Sequence, residues 1–167
     1  MQRLWSPWRS QYVSEAGPVE EGCIFCRFPE EQDDPANLVA WRGEHTFILL
    51  NRYPYNTGHL LVVPYQHTAE LGGLPHATLL EMMMALRRCV AALGEVYGPD
   101  GYNAGMNLGS VAGAGIADHL HLHIVPRWAG DTNFMPVLAD VKVMPELLEQ
   151  SYEKIATALG RHDDAAQ

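Results

Sequence analysis

The sequence predicts an α+β fold, an antiparallel five-stranded sheet with one long and one C-terminal helix. Three observations carry that expectation. Short apolar runs at Leu38–Trp41, His45–Leu50 and His59–Tyr65 are joined by links too brief for parallel crossovers. Thr78–Tyr97 holds apolar residues at helical spacing for five turns. Two further strand-like runs follow that segment, and a second helical segment closes the chain.

In chain order, residues 1–21 show no clean period and carry Trp5, Pro7, Trp8 and Tyr12, which predicts an irregular aromatic arm that must dock on its own core or on a partner. Cys23 and Cys26 form a C-x-x-C pair, and Pro29–Asn37, rich in proline, acids and amides, predicts a surface loop. The three strands follow, separated by Arg42-Gly43-Glu44 and by the turn-rich Asn51–Gly58. In the long helix Leu79, Met83, Leu86, Val90 and Leu93 form the expected buried stripe, and Gly98-Pro99 stops it. Met82, Met83 and Met84 read as gap-filling core rather than as an adaptable binding face. Gly101–Leu108 predicts a fourth strand, Gly109–Ala117 a glycine-rich loop and Asp118–Arg127 a fifth strand. Met144-Pro145 opens a last helix to about Leu159, and Gly160–Gln167 reads as a frayed tail. The whole, 1–167, reads as one domain.

The 167 residues are 47% apolar and 19% charged, which excludes wholesale disorder. A formal charge of −9 opposes a general electrostatic grip on nucleic acid or anionic membrane. Phosphate chemistry would have to be built locally from backbone N–H groups and imidazoles. No apolar run approaches a membrane span, and Met1-Gln2-Arg3-Leu4-Trp5 does not read as a signal peptide, so a cytoplasmic location is expected. In that setting a C-x-x-C pair points to metal or redox chemistry rather than to a disulfide framework.

The most informative segment is Gly113–Pro126, in which His119, His121 and His123 alternate with Leu120, Leu122 and Ile124. Strand alternation sends the histidines to one face and the apolar residues to the core. A solvated face has little use for three imidazoles, whereas a neutral imidazole attacks phosphorus and a second one orients the first. Gly109, Gly113 and Gly115 allow backbone amides to approach phosphate oxygens, with Asn107 and Ser110 as flanking donors.

His119-Leu120-His121-Leu122-His123-Ile124-Val125 resembles the histidine-triad (HIT) signature, and Asn107-Leu108-Gly109 with Ala112-Gly113 resembles that family's N-x-G…A-G loop. The Arg3–Arg9 opening and the Pro126–Phe134 continuation resemble the bacterial branch related to diadenosine tetraphosphate phosphorylases. The resemblance implies a HIT-like fold, a homodimer, and attack by His121 on the α-phosphorus of a dinucleoside polyphosphate or related adenine nucleotide to give a nucleotidyl-histidine. It implies that His123 supports the phosphate or the leaving group, that Asn107, Ser110 and the Gly113–Gly115 amides bind phosphate oxygens, and that Asn51 meets the ribose. Many members carry Gln-Ser where this chain has Ala114-Gly115, so the glutamine that handles their leaving group is absent.

Cys23, Cys26, His67 and His119 make a candidate Cys₂His₂ set for a structural zinc ion, Pro64-Tyr65-Gln66-His67 matching a Pro-x-x-His element seen in some HIT and related uridylyltransferase proteins. A reduced, unliganded cysteine pair is the plainer alternative. His45, His59, His76 and His162 read as structural or surface residues. No organic cofactor is expected. Two other functions stay open: a metal-dependent hydrolase that uses the three histidines as catalytic zinc ligands, and a nucleoside phosphoramidate hydrolase.

Overall fold

The computed structural model describes residues 22–132 and 144–164. The aromatic arm, the Asn133-Phe134 end of the Pro126–Phe134 continuation and the last three residues lie outside that description. Strands β1 (Val39–Arg42), β2 (Thr46–Leu50), β3 (Leu60–Pro64), β4 (Gly101–Met106) and β5 (Leu122–Arg127) form one sheet in the order β1-β2-β3-β5-β4. Every neighbouring pair is antiparallel. The order follows from composition. β5 is apolar enough to be flanked on both sides, whereas β4, with Asn103 and two glycines, suits an edge.

Helices α3 (His76–Tyr97) and α4 (Leu148–Asp164) cover one face. There Ile48, Leu50, Leu60, Val62, Leu122 and Ile124 meet Met82, Ala85, Cys89, Leu93, Ile155 and Leu159 in the main core. The other face carries a smaller cluster of Phe25, Val39, Phe47, Leu49, Leu61 and Val63. β2 is buried throughout because it contributes to both clusters.

Several sequence expectations need correction. Pro29–Asn37 is not a loop: α1 (Ile24–Glu31) runs through Pro29, and α2 (Asp34–Asn37) follows. Asp33 caps α2 by accepting from the Ala36 N–H at 3.3 Å, and Pro35 sits in its first turn. Arg42 fixes this corner on the sheet, donating from Nη2 to Asp34 at 2.6 Å and from Nη1 to the Pro29 carbonyl at 3.0 Å. The buried stripe of α3 is Thr78, Met82, Ala85, Cys89, Ala92 and Leu93, displaced from the expected one. Its small residues let the helix lie close to the sheet, while Leu79 and Leu86 pack at the margin and Met83 and Met84 are exposed. Of the three methionines only Met82 is core. α3 starts at His76 rather than Thr78, and it ends at Gly98 as expected, in the left-handed conformation.

The last helix begins at Leu148 and continues to Asp164, so residues 160–164 are helical rather than frayed. Glu146 delays its start by accepting from Tyr97 Oη at 2.5 Å and Ser151 Oγ at 2.8 Å. Finally, β5 begins at Leu122, not Asp118. His119 and His121 lie on an extended run-in, where the Leu120 N–H donates to the Thr68 carbonyl at 2.7 Å instead of to a strand. Among the described residues no helix is long and apolar enough to cross a membrane.

Candidate active site and metal centre

Alternation survives the late start of β5. Leu120, Leu122 and Ile124 are buried in the main core, and the histidines point to the opposite face. That face is roofed by α1: the Phe25 ring lies 5.5 Å from the ring of His119 and 5.2 Å from that of His121. His119 is fully buried, and His121 is nearly so.

Hydrogen bonds assign the tautomers. His121 Nδ1–H donates to the His119 carbonyl at 2.8 Å, which leaves the lone pair on Nε2. Burial lowers the His121 pKa from its ordinary value, so the ring is neutral at pH 7. A second chain starts at Tyr55, whose backbone N–H donates to His59 Nδ1 at 3.1 Å. Since a backbone amide cannot accept, His59 carries its proton on Nε2 and donates it to His123 Nδ1 at 3.0 Å. His123 Nδ1 is therefore an acceptor, and the His123 proton sits on Nε2. The Tyr55 ring packs on both rings, 4.7 Å from His59 and 5.9 Å from His123. His121 and His123, with ring centroids 4.8 Å apart, thus form a nucleophile and hydrogen-bond donor pair.

Both line a cavity of about 600 Å³ that also brings together Asn51, Asn107, Ser110, Gly113 and Gly115. Its apolar lining is built from Ile24, Phe25, Phe28, Leu38, Leu49 and Leu61. Asn51 accepts from the Tyr53 N–H at 2.9 Å, and its Nδ2 lies 3.3 Å from His59 Nδ1. The glycine loop closes through a 3₁₀ turn at Ser110–Ala112, with Gly109 and Gly113 both at positive φ. One expectation changes here. The Gly113 N–H donates to the Ser110 carbonyl at 3.0 Å, so Gly113 serves the turn and its amide is not presented to a ligand. Asn107 Nδ2 donates to the Gly113 carbonyl at 3.4 Å, which ties the loop to the end of β4.

A second site lies at the other end of the run. The ligand atoms of Cys23, Cys26, His67 and His119 all fall within 4.8 Å of one another. His119 Nε2–H donates to the Pro64 carbonyl at 2.8 Å, so its Nδ1 lone pair faces the thiols. His119 Nδ1 stands 3.2 Å from Cys23 Sγ, 3.7 Å from Cys26 Sγ and 3.3 Å from His67 Nδ1, and Cys26 Sγ stands 3.4 Å from His67 Nδ1. Tetrahedral zinc with the usual bond lengths gives edges of about 3.3–3.8 Å between such ligands. The donor set therefore fits a closed structural zinc site. Burial, and then the adjacent Cys23, push the Cys26 thiol up, so metal binding here would release a proton from it.

The three histidines of the run do not converge on one point. His119 turns to the thiols, His121 Nδ1 is tied to backbone and His123 Nδ1 faces His59. Asp118, the one acid of the motif, is exposed in a turn. A three-histidine catalytic metal site is not what this geometry builds. Sequence reasoning missed His59, whose partner lies 64 residues on, and the apolar wall of α1. The Ile24-Phe25 pair between the two cysteines was the available signal for that wall.

Comparison with known proteins agrees with this geometry. Residues 32–130 match the HIT domain family. The chain is 40% identical over 169 residues to the AP-4-A phosphorylase of Mycobacterium tuberculosis strain H37Rv, covering 96% of this chain and 86% of that protein. It is 28% identical over 115 residues to the adenosine 5'-monophosphoramidase HNT1 of Saccharomyces cerevisiae, covering 69% of this chain and 68% of that one. Among solved structures, a zinc-bound histidine triad family protein from Mycobacterium smegmatis superposes with a TM-score of 0.69 at 29% identity, covering 86% of this chain and 97% of the other. With an alternating histidine run, its glycine loop and a family match over more than half its length, the chain belongs to the HIT domain family and is a nucleotide-processing enzyme of that family.

Proposed function

We propose that the enzyme transfers a nucleotidyl group from a dinucleoside polyphosphate of the diadenosine tetraphosphate kind, through a covalent intermediate on His121. The observation that carries this reading is the tautomer pair: a neutral His121 with its lone pair on Nε2 beside a His123 with its proton on Nε2. His121 Nε2 attacks the α-phosphorus, and the bridging P–O bond breaks with its electron pair leaving on the nucleoside polyphosphate. His123 Nε2–H donates to the oxygen that gains charge. An oxygen of water or inorganic phosphate then attacks the same phosphorus, and the P–N bond breaks to return the lone pair to His121.

The cavity supports matching binding roles. The base takes the apolar wall beside Phe25 and Phe28, Asn51 meets the ribose hydroxyls, and Asn107, Ser110 and the Gly115 amide hold phosphate oxygens. A zinc ion at Cys23, Cys26, His67 and His119 has a structural role, holding α1 over the histidine face, and the chemistry needs no organic cofactor. The exposed Leu80, Met83 and Met84 on α3 and the place of β4 at the edge of the sheet among the described residues support a homodimer, which light scattering reads directly. The −9 charge supports the absence of nucleic-acid and membrane partners, and we place the enzyme in the cytoplasm.

The similarity to a monophosphoramidase favours a second reading, hydrolysis of nucleoside phosphoramidates by the same His121 route. Product analysis separates the possibilities. With diadenosine tetraphosphate and inorganic phosphate, ADP plus ATP marks a phosphorylase. AMP plus ATP marks a hydrolase, and turnover of adenosine 5'-phosphoramidate alone displaces the leading reading.

His59 acts here as a positioning residue. His59→Leu removes the Nε2–H that donates to His123 Nδ1, so the tautomer that presents the His123 proton on Nε2 loses its support. The expected loss in kcat is up to the order of 10²-fold, because a wrong imidazole tautomer removes the donor without moving it. His59→Gln, which offers both a donor and an acceptor, recovers part of the rate with KM little changed. Full activity in the leucine variant removes His59 from the mechanism.

A further inference from the structure

A second cavity, of about 510 Å³, lies beside the first and shares His123, Asn107 and Tyr55 with it. Its floor is a strip of sheet. His123, Val125 and Arg127 fall on one face of β5 by strand alternation, and β4 sets Gly105 against His123 and Asn103 against Val125. A Cβ placed on Gly105 would meet nothing within 4 Å, so the space next to His123 is open along the strip. Four residues of strand put the Arg127 backbone about 13 Å beyond that of His123.

Arg127 is the one Lys or Arg among the described residues lining this trough. Its guanidinium is held from two sides: Nε and Nη2 donate to Asp131, Nη2 at 3.0 Å, and Nη1 donates to Asn103 Oδ1 at 2.8 Å. Asp131 is itself fixed by Asn56 Nδ2 at 2.8 Å and by the Trp128 N–H at 3.3 Å. Those contacts occupy three of the five guanidinium N–H groups, leaving one on each terminal nitrogen for a ligand. In a chain of net charge −9, such a fixed cation in a trough walled by carboxamides is a local site for an anion.

In-line displacement gives the trough its place in the reaction. Attack by His121 Nε2 sends the leaving group away on the side of phosphorus opposite His121; with His123 as the donor to the leaving oxygen, as in the reading above, that group departs past His123, which also lines the trough. We propose that this trough is the leaving-group subsite, that it receives the distal phosphates of a nucleoside polyphosphate, and that Arg127 is the anchor that selects long anionic leaving groups over short ones. The proposal rests on the nucleotidyl-transfer reading above and adds to it a determinant of substrate length. Asp131 offsets part of the charge on Arg127, so the selection is moderate.

The test compares two substrates that share the adenylyl half, diadenosine tetraphosphate and the p-nitrophenyl ester of AMP. Arg127→Gln should lower the ratio of their kcat/KM values about tenfold relative to the unmodified enzyme, the scale of one charge-assisted hydrogen-bonded contact. Arg127→Lys, which keeps charge without the fork, should recover part of the ratio. Asn103→Asp, on the edge strand, sets a second carboxylate against the Arg127 guanidinium that Asn103 already accepts from, offsets more of its charge beside the tail and should lower the ratio as well. An unchanged ratio in Arg127→Gln and Asn103→Asp, in protein that still forms the His121 adduct from the p-nitrophenyl ester, overturns the subsite. Failure of the unmodified enzyme to form any adduct overturns the nucleotidyl-transfer reading instead.

Discussion

Replacing His121 with alanine is expected to lower kcat on diadenosine tetraphosphate by at least about 10⁴-fold, the range seen when a covalent nucleophile is removed. In the unmodified enzyme, intact mass of the reaction quenched in alkaline denaturant, which spares a P–N bond, should show an added AMP moiety, and in the variant it should not. His121→Asn is the companion, because an amide keeps much of the ring's volume under Phe25 and the hydrogen bond to the His119 carbonyl while offering no nucleophile. His123→Ala should lose less, on the order of 10²-fold, since it removes a donor and leaves the attacking atom in place. Retained turnover in both His121 variants would falsify the covalent route. An adduct that survives His121 substitution would move the nucleophile to another side chain.

The second large effect concerns Cys23 and Cys26. Protein purified without chelator should hold about one equivalent of zinc, and Cys23→Ser with Cys26→Ser should abolish binding. Tm should then fall by about 10 °C or more, since about 3–5 kcal/mol of lost metal binding corresponds to that shift at this chain length. KM should rise as well. The cysteines bracket Ile24 and Phe25, so releasing the metal also releases the helix that walls the nucleotide cavity and packs on the rings of His119 and His121. A zinc content below about a tenth of an equivalent removes the site. Chelation that abolishes activity while leaving Tm unchanged argues for a catalytic metal and reopens the metal-hydrolase reading.

The residues differ in how openly the sequence declares them. The histidine face was legible because strand alternation is a property of the backbone alone: an extended segment with Leu120, Leu122 and Ile124 on one side must place His119, His121 and His123 on the other. The grouping of Cys23, Cys26, His67 and His119 was legible because C-x-x-C is a local pattern and Pro64-Tyr65-Gln66-His67 matched an element of the family resemblance. The end of α3 at Gly98 was legible for the same local reason, a residue that tolerates positive φ just after the last apolar position.

Other features carried no local signal. α1 has eight residues, one of them proline, and α2 has four, both too short to be stable alone. Burial of Phe25 and the Arg42–Asp34 pair hold them in place. Either face of α3 could have been the buried one, since both carry apolar side chains. Close approach to the sheet selected the one with Ala85, Cys89 and Ala92.

The sequence by itself therefore determined which side chains this protein can bring to chemistry, the histidine run, the loop beside it and the cysteine–histidine group, because those are matters of residue type, short spacing and family resemblance. Only the tertiary structure decided which nitrogen of each ring holds a proton. That assignment passes from Tyr55 through His59 to His123 across strands far apart in the chain, and a proton's position on an imidazole is set by the neighbours that folding supplies.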